Sequence, residues 1–268
     1  MGELVLLLLV GVLSGVTTVL FGFGGGFVTV PVVIWANAAL GTDAPTVAVA
    51  TSSVVMVASA AVAAAATRRD VLARLGRSGS LLVLLGVGGA VGALAARTAP
   101  GQLITWAFIT YLTITIGDVV VRKGFVRPVR TAPEQTEGSA LPRWLGLPIG
   151  ALASFLGVGG SMMTVPLLRR SGLGMHSVAA LANPLTLAIS LPATVVFLLG
   201  NPVGTAGSTT TLLGAVDVRS AALLLAGGLP AVVILRRRPP RIGDRVHAVG
   251  YIGLLLVVLA TMVVSTLR

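Results

Sequence analysis

Long apolar stretches separated by short polar or basic segments make up most of this chain. They cover residues 4–22, 27–38, 44–66, 79–96, 102–121, 144–157, 162–169, 175–199, 218–235 and 246–266. A helix needs about 20 apolar residues to cross the hydrocarbon core of a bilayer. Six of the stretches reach or approach that length, three are too short to cross alone (27–38, 144–157 and 162–169), and 4–22 is long enough either to cross or to belong to a re-entrant unit. The pattern predicts an all-α integral membrane protein.

The composition agrees with a membrane protein. Of 268 residues, 55% are hydrophobic and only 10% are charged, whereas soluble domains carry roughly 25% charged residues. The first apolar run lacks a preceding positive segment and a following cleavage pattern, so we expect it to be a retained membrane segment and not a signal peptide. The chain has no cysteine, which excludes disulfides and thiolate ligands. We predict no metal site and no cofactor.

The net charge of +11 lies mostly between the apolar stretches. Fourteen of the 19 basic residues fall in three short segments, 67–78, 122–143 and 236–245. Basic loops of this kind are typical of the cytoplasmic side of a membrane protein. Nucleic-acid binding would call for aromatic or base-reading groups nearby, so we predict a multi-pass protein of the plasma (inner) membrane, with these three loops in the cytoplasm and no nucleic-acid partner.

The chain contains two similar halves. At an offset of 135 residues, Gly22 matches Gly157, Gly24-Gly25 matches Gly159-Gly160, and Thr29-Val30-Pro31 matches Thr164-Val165-Pro166. Further along, an offset of 132 aligns Thr51 with Asn183. The polar segment between the halves, which carries three prolines, reads as a linker. The predicted organisation is therefore a first membrane repeat over 1–121, a cytoplasmic linker over 122–143 and a second membrane repeat over 144–268.

The basic loops also predict how the two halves are oriented. If all three loops are cytoplasmic, the glycine-broken unit of the second half starts and ends inside, and that of the first half starts and ends outside. Each half then has about three full spans and one re-entrant or half-helix unit. The two halves would have opposite orientations, and such inverted repeats are common in secondary transporters.

The candidate chemistry lies at the two glycine-rich breaks, residues 22–26 and 157–161. Backbone that is not helical is tolerated at membrane depth only when it is packed in protein or lines a cavity. A half-helix that starts after such a break presents unpaired N–H groups and the positive end of its dipole, which together favour an anion. We therefore predict a small-anion site from backbone and hydroxyl donors, at Gly24, Gly25, Gly26, Thr29, Thr51, Ser52, Gly159, Gly160, Ser161, Thr164 and Asn183.

The paired glycine breaks, each leading into a short helix that contains proline, resemble the sulfite exporter TauE/SafE family of membrane permeases. The segment Ala48-Val49-Ala50-Thr51-Ser52 also resembles that family's Thr-Ser stretch after the first break. The resemblance covers nearly the whole chain. It implies export of small sulfur-containing anions such as sulfite, thiosulfate or organosulfonates. The second half departs from the pattern, because Asn183-Pro184 stands where the first half has Thr51-Ser52.

The positions of the acidic residues also favour an anion as the substrate. None of the eight Asp and Glu residues lies at the centre of a predicted span, whereas proton and cation transporters usually keep an intramembrane carboxylate.

Two alternatives to a carrier stay open. A passive anion channel would show the same sequence features as a carrier. An intramembrane serine protease is the less favoured alternative. It would use Ser161 as nucleophile and His247 as base, although we expect His247 to be a solvated residue near the membrane surface. The sequence indicates neither the coupling ion nor the oligomeric state.

Overall fold

The computed structural model describes residues 2–65, 67, 79–121, 143–170, 175–200, 211–238 and 242–267. Its α-helices are α1 (Gly2–Phe21), α2 (Gly26–Ala36), α3 (Ala44–Ala65), α4 (Gly79–Thr98), α5 (Gly101–Val121), α6 (Gly146–Leu156), α7 (Ser161–Arg170), α8 (Met175–Leu199), α9 (Val218–Arg237) and α10 (Asp244–Leu267). Short 3-10 helices span Ala38–Asp43 and Arg143–Leu145, and two-residue strands β1 (Leu212–Leu213) and β2 (Val216–Asp217) pair antiparallel just before α9.

The lengths of the helices confirm the prediction of an all-α membrane protein. Among the described residues, seven helices are long and apolar enough to cross a bilayer, namely α1, α3, α4, α5, α8, α9 and α10. The helices α2, α6 and α7 have only 11, 11 and 10 residues. At 1.5 Å per residue, each of them reaches about half-way across the hydrocarbon core. The predicted linker 122–143 and the basic segment 67–78 lie almost wholly outside the described residues, so their cytoplasmic placement stays a prediction.

Glycines join the two halves through two equivalent helix pairs. On α1, a side chain at Gly11 or Gly15 would overlap the carbonyl oxygen of Leu224 or Gly228 on α9. On α6, Gly150 lies in the same way against the backbone of α4. In both pairs the helices run parallel, and each pair joins one helix of the first half to one of the second. Small residues at such contacts let the two backbones approach closely, which is how helices commonly pack in membranes.

Gly11→Ala is expected to destabilise the protein through this contact. The new methyl group would overlap backbone atoms of α9, which have little freedom to move, and overpacking of this kind costs about 1–3 kcal/mol. Gly253→Ala on α10 is the matched control, because a methyl group there would meet no atom within 4 Å and alanine is the better helix former. Thermal unfolding of the purified proteins in detergent provides the measurement. Equal melting temperatures for the two variants would contradict the packing argument.

The repeat-related helices α3 and α8 cross in the middle of the protein. The hydroxyl of Thr194 on α8 donates a 3.0 Å hydrogen bond to that of Ser53 on α3. A second contact brings together Met56, which lies one turn after Ser53 in α3, and Thr186, which lies two turns before Thr194 in α8. The two helices are therefore antiparallel, which is the arrangement that inverted repeats require. The orientation of each half relative to a membrane stays a prediction.

The far ends of the half-helices α2 and α7 are each tied to an aspartate. The Nδ2 of Asn37, just after α2, donates a 3.0 Å hydrogen bond to Asp217, which caps the N-terminus of α9. Arg169, near the end of α7, pairs through its two terminal guanidinium nitrogens, Nη1 and Nη2, with the carboxylate of Asp244 at the start of α10. The side chain of Arg169 is fully buried, and the backbone N–H of Met175 also donates to Asp244, at 2.9 Å. These ties fix the outer ends of the two half-helices to long helices of the second half.

Candidate functional site

Both breaks use glycine where the backbone needs a positive φ. In the first break Gly22, Gly24 and Gly25 have φ of 78°, 64° and 86°, and in the second Gly157 and Gly159 have φ of 67° and 72°. Residues with a Cβ rarely adopt these angles, because the side chain collides with the backbone. Two of the pairs that match at an offset of 135, Gly22 with Gly157 and Gly24 with Gly159, therefore share the same unusual conformation, whereas Gly25 has a positive φ and its match Gly160 does not. The breaks end α1 and α6 and start α2 and α7 at Gly26 and Ser161.

The two breaks lie directly against each other. A Cβ added to Gly26 would stand 2.7 Å from the carbonyl oxygen of Gly157, and one added to Gly159 would stand 3.2 Å from that of Phe23. The N-termini of α2 and α7 therefore meet inside the protein, as the sequence analysis predicts for an anion site. The N-terminus of α2 has no side-chain cap, since its N-cap residue is Gly25.

Met56 of α3 and Thr186 of α8 lie at the meeting point of the two breaks. The Sδ atom of Met56 would be 2.5 Å from a Cβ at Gly26 and 3.0 Å from one at Gly159. The methyl group of Thr186 would be 2.8 Å from a Cβ at Gly24 and 3.0 Å from one at Gly159. The sequence analysis missed both residues. Thr186 carried a usable signal, because it follows Asn183 by three residues and so shares its helix face.

Each break is held by a hydroxyl of the opposite half. Ser52 Oγ on α3 donates to the carbonyl oxygen of Gly157 at 3.1 Å, and also to that of Val49 in its own helix at 2.8 Å. Thr186 Oγ1 on α8 donates to the carbonyl oxygen of Gly22 at 3.3 Å. The two acceptors, Gly22 and Gly157, are repeat-related, whereas the donors are not, since the position that matches Ser52 is Pro184. The two hydrogen bonds satisfy carbonyl groups that the helix breaks would otherwise leave unpaired in an apolar interior.

The first turns of α2 and α7 differ in their free hydroxyl groups. Thr29 Oγ1 donates to the carbonyl oxygen of Gly26 at 2.8 Å. Its counterpart Thr164 and the N-terminal Ser161 are both fully buried, and neither hydroxyl has a hydrogen-bond partner among the residues that the structure describes. Buried polar groups without a partner are rare and costly in folded proteins. These two hydroxyls at the start of α7 are therefore available to a bound ligand.

Two of the predicted site residues are bonded away from the breaks. The hydroxyl of Thr51 accepts a 2.9 Å hydrogen bond from the backbone N–H of Asp217, which joins α3 to the start of α9. Asn183 Nδ2 donates to the carbonyl oxygen of Ala179 at 3.0 Å and to that of Thr18 at 3.4 Å. The Oδ1 atom of Asn183 is buried without a partner. A contact from either residue to a ligand stays a prediction.

Aromatic rings pack closely around the first break, whereas at the second break the hydroxyl of Tyr251 donates to the carbonyl oxygen of Met162 at 3.5 Å. Phe23 lies 5.2 Å from Phe27 and 5.3 Å from Tyr251, measured between ring centroids. The matching positions of the second half are occupied by Leu156, Val158 and Met162. The rings stiffen the first break against α10 through contacts that aromatic pairs favour. The site is therefore symmetric in its backbone but not in its side chains.

The structure corrects the interpretation of His247. This residue is only 7% exposed, and its Nε2 lies 2.6 Å from the carbonyl oxygen of Leu20, so it is not a solvated surface group. Its ring packs 5.2 Å from that of Phe21. The Oγ of Ser161 has no hydrogen-bond partner, so the serine–histidine dyad of the protease alternative is not assembled in this structure.

A cleft of about 220 Å³ leads toward the start of α7. It runs between α5 and α7, from Asp118 in the last turn of α5 to Met162 next to Ser161. Its walls are mostly apolar, with Tyr111 and Thr115 as polar groups. Asp118 and the other described acidic residues (Glu3, Asp43, Asp217 and Asp244) lie at or within one turn of helix ends. Their placement agrees with the prediction that none occupies the centre of a span.

The comparison with known families supports the resemblance seen in the sequence. The family model described as sulfite exporter TauE/SafE matches residues 7–262 of the chain, which includes both breaks and both half-helices. No curated protein and no solved structure shows a significant match to the chain.

Proposed function

The chain belongs to the sulfite exporter TauE/SafE family, and we propose from this premise that it carries small sulfur-containing anions, such as sulfite, thiosulfate or organosulfonates, outward across the plasma membrane. It would act as a transporter and not as an enzyme, with the basic loops in the cytoplasm. One observation carries the proposal: two half-helix N-termini meet in the interior beside the buried hydroxyls of Ser161 and Thr164, which have no partner. Helix N-termini bind anions through free N–H groups and the helix dipole.

The anion would be held by the breaks and by the first turns of the two half-helices. The first N–H groups of a helix have no acceptor within the helix, so those that follow Gly25 and Gly160 are free to donate. The hydroxyls of Ser161 and Thr164 would add two donors at α7, and Thr29 would turn its hydroxyl from the carbonyl oxygen of Gly26 to the anion at the start of α2. Ser52 and Thr186 would keep the breaks in place through their carbonyl hydrogen bonds.

Transport would follow alternating access, in which one half rocks against the other around a fixed site. The ties at the far ends of the half-helices support this mechanism. Asn37 with Asp217 joins the two halves and would close one side, whereas Arg169 with Asp244 lies within the second half and would hold α7 against α10 on the other side. Opening one tie at a time would expose the breaks to one side of the membrane at a time. The cleft from Asp118 to Met162 gives the start of α7 an approach from the predicted cytoplasmic side.

Uptake into proteoliposomes tests the function. We expect saturable uptake of labelled sulfite or a labelled sulfonate, which is absent in empty vesicles and not matched by chloride or sodium. Ser161→Ala and Thr164→Val should each raise the KM for the anion roughly tenfold or more, because a hydrogen bond to a charged group is worth about 1.5–3 kcal/mol. Thr266→Val is the matched control, since that hydroxyl donates only to the carbonyl of Met262 in its own helix.

Two results would contradict the proposal. Uptake of sodium without uptake of any sulfur anion would mean that the half-helix N-termini do not define the charge of the substrate. An unchanged KM in both hydroxyl variants would remove the start of α7 from the site. Single-channel currents would indicate a passive channel in place of a carrier.

A further inference from the structure

A line of hydroxyl groups follows the contact between α3 and α8 through the interior. On α8, Thr186, Ser190 and Thr194 recur at intervals of four residues, so they share one face of the helix. Two contacts direct this face toward α3. The hydroxyl of Thr194 donates to that of Ser53, and Thr186 lies against the same two glycines as Met56 of α3, one in each break. Ser190 lies between these contacts, so its side chain faces α3 as well.

The matching face of α3 also carries hydroxyl groups. Ser52, Met56 and Ser59 recur at intervals of four and three residues and share a face in the same way. Ser52 donates to the carbonyl oxygen of Gly157 in the second break, and Met56 lies against both breaks. The side chain of Ser59 therefore points to the same interior contact, one turn beyond Met56. The hydroxyl-bearing residues on the two facing helix surfaces form what we call the hydroxyl seam (Ser52, Ser53, Ser59, Thr186, Ser190 and Thr194).

Two hydroxyl groups of the seam have no hydrogen-bond partner among the residues that the structure describes. They belong to Ser59 and Ser190, which are 0% and 1% exposed. A serine inside a helix often satisfies its hydroxyl on a carbonyl group of its own helix, as Ser53 does with Ala50 at 2.6 Å. Buried polar groups without a partner are rare, because each costs free energy. These two hydroxyls are therefore available to a ligand, and they lie on opposite sides of Met56.

The hydroxyl seam joins the two halves of the protein. Since α3 belongs to the first half and α8 to the second, a movement of one half against the other changes this contact. The hydrogen bond from Thr194 to Ser53 closes the seam on the side of Ser190. The close glycine contacts of the breaks include neither Ser59 nor Ser190. The seam can therefore open to water on either side while the breaks stay packed against each other.

We infer that the anion enters and leaves the site along the hydroxyl seam, with Ser190 as a contact on one side of the breaks and Ser59 on the other. The inference rests on the proposed function, since it names further residues that the same anion meets. The seam passes beside the start of α7, because Gly160 lies against Ile189 of α8. Neutral hydroxyls donate to an anion but hold it less firmly than a buried cation, so they let it leave. In the predicted topology, Ser190 lies on the outer side.

Single cysteines placed in the seam test this path, because the chain has no cysteine of its own. We expect Ser190→Cys to react with a membrane-impermeant thiol reagent applied to the outer face, and Ser59→Cys with the same reagent applied to the cytoplasmic face. Right-side-out and inside-out membrane vesicles present the two faces separately. Relative to its rate with a free thiol in water, a sulfonate-bearing methanethiosulfonate should react roughly tenfold faster than a trimethylammonium-bearing one, since the hydroxyls donate only to the anion.

Leu191→Cys is the matched control for access. Leu191 follows Ser190 directly, but its side chain is 53% exposed on the outer surface of a helix long enough to span the bilayer. In a membrane this surface faces lipid, where a charged reagent is costly to place, so we expect no labelling. Methanesulfonate does not react with thiols, and at ten times its KM it should slow labelling of both seam variants about tenfold by occupying the path.

Ser190→Ala and Ser59→Ala separate a role in transport from a role in stability. Removal of a buried hydroxyl that has no partner relieves a cost in the folded protein, so the melting temperature should stay the same or rise. The initial rate of anion uptake should nevertheless fall, by roughly three- to tenfold, because the anion loses a donor on its path. A lower melting temperature with unchanged uptake in both variants would show that the hydroxyls serve packing alone, and would contradict the inference.

The outcomes separate this inference from the proposed function. If the vesicles transport a sulfur anion while neither Ser59→Cys nor Ser190→Cys is labelled, the path lies elsewhere, and the inference fails while the proposed function stands. Labelling of Leu191→Cys as fast as of Ser190→Cys would also contradict a path confined to the seam. Anion-selective labelling of both seam variants without uptake of any sulfur anion would overturn the proposed function and keep the path for a different anion.

Discussion

Gly26→Ala is expected to reduce anion transport roughly ten- to a hundredfold. The added methyl group would stand 2.7 Å from the carbonyl oxygen of Gly157, and 2.5 and 2.7 Å from the Sδ and Cγ atoms of Met56. The overlap would push the two breaks apart at the point where they touch. Overpacking of a tight contact costs about 1–3 kcal/mol, and each 1.4 kcal/mol is a factor of ten. Initial uptake rates in proteoliposomes at matched protein content give the measurement.

Two further variants test whether the loss of transport comes from the close backbone contact between the breaks or would follow from any added methyl group. Gly117→Ala on α5 adds a methyl group that would meet nothing within 4 Å, so it should keep the unaltered rate. Gly26→Ala combined with Met56→Ala removes the overlap with the methionine but not that with Gly157. Full recovery in the double variant would contradict the view that the backbone contact between the breaks is what matters.

Asp244→Asn should cause one of the largest losses of stability in the protein. It removes the negative charge beside the fully buried guanidinium of Arg169. Breaking a buried ion pair from one side costs about 3–5 kcal/mol, because the remaining charge loses a partner that balanced it in the interior. The side chain of Asp244 is 42% exposed, so water can partly replace the contacts of its carboxylate with Arg169. We therefore expect a loss of stability near the lower end of that range. Unfolding of the purified protein in detergent gives the value.

A double-mutant cycle shows whether the buried charge is the cause. Arg169→Met removes the cation and leaves an unbranched apolar side chain of similar reach. In the Asp244→Asn background this change should recover part of the lost stability, since no buried charge is then left unbalanced. Losses that simply add in the double variant would show that the two residues stabilise the fold independently of each other.

The same ion pair links stability to the transport cycle. It joins the end of α7 to the start of α10, and the N–H of Met175 brings the start of α8 to the same carboxylate. Both residues lie in the second half, so the pair breaks in each cycle only where α7 moves relative to α10 when this side opens. Its variants should therefore change the rate of transport as well as the stability, whereas Gly11→Ala on the contact between α1 and α9 should act mainly on stability.

Much of the site could be predicted because glycine and proline act locally. The matching runs Gly24-Gly25 and Gly159-Gly160 predicted two breaks, and the structure has positive φ at Gly24 and Gly159. The prediction of one anion site with donors from both breaks requires the breaks to meet, and they do. What the sequence could not supply was the pairing of individual hydroxyls. Ser52 and Thr51 are neighbours in α3, yet one bonds the second break and the other bonds the backbone of Asp217.

His247 shows the same limit. A histidine near the start of an apolar segment is usually placed at the membrane surface by hydropathy alone, but here α10 packs against the end of α1 and buries the ring against Phe21. The roles of Met56 and Thr186 were hidden for a related reason. Methionine and threonine in an apolar helix carry no sequence pattern that separates a residue facing a ligand from one facing another helix.

The sequence by itself determined the membrane class, the positions of six of the seven long apolar helices, the internal repeat and the two breaks, because hydropathy, glycine and proline act through the backbone over a few residues. Only the tertiary structure decided which side chains meet the breaks. The antiparallel crossing of α3 and α8 places Met56 and Thr186 between the half-helices, and the joined breaks leave Ser161 and Thr164 without partners. Such contacts join residues more than a hundred positions apart, so they depend on how the helices pack and not on any local pattern.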